Sequence, residues 1–171
     1  MTNTTSVNLY AYNFSETRTY VVAALFVVGN IVLPQMFHLL PKGGMTWLPI
    51  YFFTLVGAYK YGWRVGLLTA VASPLVNSAM FGMPMPAVLP AILAKSVLLA
   101  IGAGFAQNKF RKASLTLLIG VVAFYQLAGS LAEWAMSGSL NVALQDVRMG
   151  LPGMALQIFG GYAFIKYIIR K

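Results

Sequence analysis

The chain contains no cysteine, a single histidine (His38) and only three acidic residues, Glu16, Glu133 and Asp146, among its 171 positions. Each shortage closes a class of function. Without thiols there is no disulfide framework, thiolate metal site or cysteine nucleophile, and a lone histidine with no second His or Cys beside it holds no metal. No glycine loop ending in Gly-Lys-Ser/Thr and no acidic Mg²⁺ site is visible, so nucleotide hydrolysis is not expected here. Charged residues amount to 9% of the chain, too few to cover a soluble domain of this size. The polar start "MTNTTSVNLYAYNFSETR" lacks the basic region that opens a cleaved signal peptide.

What the chain does have is apolar sequence. Hydrophobic residues make up 59% of it, in runs that repeatedly approach or exceed the ~18 residues that suggest a membrane span. The expected class is therefore an all-α integral membrane protein. The formal charge of +9 belongs to topology and to anionic lipid headgroups rather than to nucleic acid, for which no motif is present.

Reading apolar runs between punctuation predicts six transmembrane helices: Thr19 to Leu40, Met45 to Tyr61, Trp63 to Phe81, Ala87 to Gln107, Ala113 to Met136 and Gly150 to Ile169. The connections "LPKGG", "KYGW", "FGMPMP", "NKFRK" and "SGSLNVALQDVR" carry the Gly, Pro, Asn and charges that end helices. A cytoplasmic segment, 1–18, precedes one membrane domain, 19–171. On alternate sides of such a bundle, Arg18, Lys60, Arg64, Lys109, Arg111, Lys112, Lys166, Arg170 and Lys171 face only Lys42 and Arg148. That asymmetry places both termini in the cytoplasm.

Polar residues within the spans gather at one depth. Asn30, Gln35 and His38 on the first helix, Asn77 on the third, Lys95 on the fourth, Gln126 and Glu133 on the fifth and Gln157 on the sixth fall in middle or outer halves, given a rise of ~1.5 Å per residue. The inner stretches "VVAALFVVG", "VLLAIGAGFA" and "LTLLIGVVAF" offer small and apolar residues only. Amides and charges in lipid must find partners or line a wet cavity, so the pattern predicts an outward-facing pocket over an apolar floor. A channel would need polar lining throughout, and a pump would show ionisable groups near the midplane. The loops "LLPKGGMTWLP", which carries Trp47, and "MFGMPMPAVLP" are stiff turns with adaptable apolar side chains, suited to closing over a small ligand.

Lys95 is open to three readings: it snorkels to the headgroups, pairs with Glu133, or binds an anionic group of a ligand. Trp134 either stacks on a ligand ring or belongs to the interfacial aromatic belt. Asp146 and Arg148, in the loop before the last helix, read as solvated and paired, with Arg148 also a candidate clamp for a ligand carboxylate. Such a pocket suits a zwitterion or a carboxylate on an apolar body. No nucleophile and base stand at useful spacing, so an enzyme is not expected.

Six helices in a chain this short, polar groups in the outer halves of helices four to six, and the texture of "MTWLPIYFFTLVGAYKYGWRVGLLTAVASPLVNSAMFG" resemble the S components of energy-coupling factor (ECF) transporters. The resemblance implies a substrate-capture subunit of a bacterial vitamin importer in the cytoplasmic membrane, without a cofactor of its own. Its implied partners are a vitamin-like small molecule, membrane lipids, a transmembrane coupling protein and two cytoplasmic ATPase subunits. Members carry an Ala-x-x-x-Ala patch on the first helix that meets the coupling protein. Here "YVVAALFVVGN" has Ala23 and Ala24 but Val27 and Val28 four residues on, so the motif is absent in strict form and the two alanines remain contact candidates. A small membrane scaffold of the MreD type, or a solitary small-molecule transporter, is the competing expectation.

Overall fold

The chain is followed from Val7 to Ile169 in the computed structural model, which describes residues 7–169. In order come α1 (Thr17–His38), α2 (Gly43–Trp47), a 3₁₀ turn (Pro49–Tyr51), α3 (Phe52–Tyr61), α4 (Trp63–Phe81), α5 (Leu89–Phe110) and α6 (Leu115–Ser137). Short helices α7 (Leu140–Ala143) and α8 (Gln145–Met149) lead to α9 (Leu151–Ala155), a π-helical stretch (Leu156–Gly160), α10 (Gly161–Ala163) and a second π-helical stretch (Phe164–Ile168). No strand occurs among the described residues. Among the described residues four helices, α1, α4, α5 and α6, are long and apolar enough to cross a membrane. Their outer faces display Leu25, Val32, Phe105, Leu127 and Leu131, all exposed, a surface that suits hydrocarbon rather than water.

Two of the six expected spans take a different form. The run 45–61 is broken at Leu48, whose backbone turns left-handed (φ 46°, ψ 45°), and Pro49 then starts the 3₁₀ turn. A proline is favoured in a helix's first turn, where its missing N–H is not needed. Only the ten residues of α3 remain as regular helix. The backbone N–H of Phe53 donates to Asn30 Oδ1 at 3.1 Å, which sets the start of α3 beside the middle of α1. The last run is helical over 151–168 but alternates between α and π hydrogen bonding.

The core is built by close approach. Leu55, Val56, Ala58, Val65, Leu99 and Leu118 are fully buried where α3, α4, α5 and α6 meet. Gly104 on α5 packs directly on the backbone of Trp63, a close helix contact of the kind that small residues permit. A single residue, Gly62 (φ 100°, ψ 161°), joins α3 to α4 in a conformation that a side chain would forbid.

At one end of the bundle the segment before α1 forms a strap. Tyr10 N–H donates to Lys60 O at 2.8 Å and Tyr12 N–H to Tyr61 O at 3.1 Å. Gln107 Nε2 donates to Tyr10 O at 3.1 Å, and the Lys60 ammonium bonds Asn8 O. Arg64, Lys109, Arg111 and Lys112 share this end through the termini of α4 and α5. Residues 1–6, Arg170 and Lys171 lie outside the described residues, so the expected segment 1–18 is seen from Val7 onward.

Candidate functional site

A cavity of about 590 Å³ opens at the opposite end. Its walls come from the last turns of α1, from α2 and the 3₁₀ turn, the end of α4, the loop Met83 to Met85, the first turns of α5, Glu133 of α6 and Asp146 of α8. Size and lining suit a drug-sized molecule: mostly apolar walls with a few convergent polar groups.

The polar centre is Lys95. Pro90 sits in the first turn of α5, and Lys95 follows on the second. Its side chain lies across Gly129 of α6, where an added Cβ would stand 2.5 Å from Lys95 Cγ. The ammonium donates to Glu133 Oε2 at 2.5 Å and to Asp146 Oδ2 at 2.7 Å. Of the three earlier readings, pairing with Glu133 describes the geometry, and the acceptor from α8 is an addition. Asp146 is a correction to the sequence reading: it bonds Lys95 rather than Arg148, because α8 folds back over the mouth of the bundle. Arg148 is exposed and donates to Asn141 Oδ1 at 3.4 Å.

Beneath the cavity a second polar group ties the helices together. Asn30 Nδ2 donates to Thr54 Oγ1 at 3.1 Å and to Ser73 Oγ at 3.2 Å, and Asn77 Nδ2 donates to Asn30 O at 2.9 Å. These four residues are buried and join α1, α3 and α4. Asn30 therefore has a structural role, whereas Asn77 serves both, since it also lines the cavity. His38 is at the cavity wall as well.

The structure brings Lys95, Glu133 and Asn77 together and leaves the other expected residues apart. Gln126 is buried on α6 but outside the cavity lining. Gln157, in the first π stretch, accepts from Tyr125 Oη at 2.9 Å, an interhelical bond away from the lining. Trp47 stacks on Phe37 with ring centroids 5.4 Å apart, so it braces α2 against α1 instead of facing the cavity. Trp134 is 49% exposed on the outer face of α6, the position of an interfacial aromatic. Adjacent helical residues diverge by roughly 100°, so Glu133 facing inward turns Trp134 outward. Ala23 is buried in the core and has no surface for a partner, while Ala24 is exposed beside Leu25.

Reasoning from the sequence missed Asp146 and Tyr51, a fully buried tyrosine of the cavity wall. A signal for Asp146 existed: it is one of three acids in the chain and lies at the same end as Lys95. Comparisons with protein-family models, with curated proteins and with solved structures find no match to this chain.

Proposed function

We propose that this protein is a substrate-capture subunit of the S-component kind, spanning a bacterial cytoplasmic membrane six times with both termini inside. Residues 45–61 and 151–168 form the second and sixth passages in this reading, the one re-entrant and the other π-wound. The cavity faces outward and takes a small water-soluble nutrient of the vitamin type. Delivery then depends on other chains, a transmembrane coupling protein and two ATPases, with Ala24 and its exposed neighbours on α1 left as the docking candidates.

One observation carries the reading: a cavity of about 590 Å³ with a charged centre stands at the end of the bundle away from the clustered basic residues. Buried ion groups are poor contributors to stability, since apolar residues of like volume often serve as well. A buried ammonium held by two partly exposed carboxylates at the wall of a cavity is better explained by what the cavity holds.

Native mass spectrometry of the protein, purified in mild detergent from cells in rich medium, tests this. The expected result is a bound molecule of about 200–500 Da, the size such a pocket holds. Purified protein without any such adduct, and with a melting temperature indifferent to medium extract, supports the scaffold alternative instead.

A further inference from the structure

The ionic centre of the cavity does not balance. One ammonium, on Lys95, lies 2.5 Å from a Glu133 oxygen and 2.7 Å from an Asp146 oxygen, which leaves the trio with one net negative charge. Exposure is uneven in the same sense: the Lys95 side chain is 1% exposed, against 13% for Glu133 and 21% for Asp146. A molecule entering the cavity meets carboxylate oxygens, while the ammonium behind them is already engaged.

Asn77 points the same way independently. Its Nδ2 donates to the carbonyl oxygens of Asn30 and Ser73 at 2.9 and 3.0 Å. Only the nitrogen of the amide can donate to a carbonyl, so the orientation is fixed and Oδ1 is the free end. That oxygen is buried, accepts no hydrogen bond among the described residues, and belongs to a side chain lining the cavity. A buried acceptor without a donor costs free energy that a donating ligand recovers.

We propose that the cavity binds a molecule carrying a cationic nitrogen, an ammonium or a protonated heterocycle, on an apolar body. Glu133 and Asp146 hold the cation, and Asn77 Oδ1, uncovered by a small shift of the cavity wall, accepts an N–H of the body. The inference rests on the capture reading above and reverses the ligand charge that Lys95 alone suggests. A carboxylate ligand would meet like charge in a partly desolvated site. The other basic groups bordering the cavity, Lys42 and His38, are both exposed at its mouth, where solvent and salt screen them.

The test uses matched probes on the full chain in detergent: tryptamine against indole-3-acetate, phenethylamine against phenylacetate, and histamine against imidazole-4-acetate. Binding is read by thermal shift and native mass spectrometry. At least one amine should bind about tenfold or more tightly than its carboxylate counterpart, the scale of a lost charge-assisted hydrogen bond. Asp146→Asn should weaken that amine by about tenfold or more, while the neutral Lys95–Glu133 pair it leaves keeps the fold intact. Tighter binding of the carboxylates, or an Asp146→Asn variant that binds the amine as well as the parent does, overturns the charge assignment and leaves capture standing. If no probe binds, the molecule released on denaturing the purified protein decides: a cation supports the proposal, an anionic or uncharged molecule overturns it. No released molecule and no probe binding sink the capture reading itself, and this inference with it.

Discussion

Lys95 is tolerable among apolar helices only because two carboxylates surround it, and substitutions around it should separate by the charge they strand. Lys95→Ala leaves Glu133 and Asp146, both partly exposed, facing each other without a cation, a loss of about 1.5–3 kcal/mol, the scale of charge-assisted hydrogen bonds. Asp146→Asn leaves a neutral pair and should lower the melting temperature far less; equal falls for the two variants would contradict the geometry of the trio. Asn30 is the other sensitive residue. Asn30→Ala removes donors from Thr54 and Ser73 and the acceptor of the Phe53 amide, so it should cost at least about 2 kcal/mol, the scale of buried polar groups left unpaired. Chemical denaturation in detergent measures it. At this scale the sequence was informative where depth decided the partner: Lys95 and Glu133 lie at like heights on neighbouring helices, and their pairing could be weighed from numbering alone. Depth could not tell whether Asn30 lined the pocket or tied helices together, since both roles need a polar group in the same place. For Asp146 depth gave the right end but not the partner, because the path of a loop over the bundle depends on packing between α2, α8 and α9 that no local pattern encodes.

Among the elements, α2 is the one on which the cavity's shape depends most. Lys42 and Leu48 at its two ends hold left-handed backbone without being glycine, a conformation that persists only where surrounding contacts impose it. One such contact is Gly153 of α9, so close to the carbonyl group of Trp47 that a Cβ there would collide with backbone. Gly153→Val should therefore displace α2, reduce ligand or probe binding by about tenfold, the cost of a misplaced polar contact, and leave helix content unchanged by circular dichroism. The break in the second run was partly legible, for Pro49 is a helix-start signal inside an apolar stretch. The unbroken hydrophobicity of 45–61 pointed to one helix, and the left-handed turn at Leu48 has no residue signature. The π stretches around Gln157 and Lys166 are equally silent in sequence, since every residue there is compatible with an ordinary α-helix.

For the whole molecule, the separation of charge between the two ends was the most legible feature, because short-loop lysines and arginines set topology directly. The absence of cysteine makes that topology easy to check. Ser137→Cys, at the cavity end, should react in intact cells with a membrane-impermeant maleimide, and Asn108→Cys, at the strap end, only after permeabilisation; the reverse pattern would turn the protein over and the capture reading with it. The hydrogen-bonded group of Asn30, Thr54, Ser73 and Asn77 has a consequence of a different kind. It stands directly below the cavity with its donors directed at one another, and under it come Leu55, Val56, Leu99 and Ala103, all fully buried. A chain of water cannot thread such a layer without breaking several of those bonds at once. Liposomes carrying the protein should hold a proton gradient as long as bare lipid does, whether or not a ligand is present, and the delivery that the proposed capture role calls for would have to come from movement of the protein as a body rather than from seepage through it.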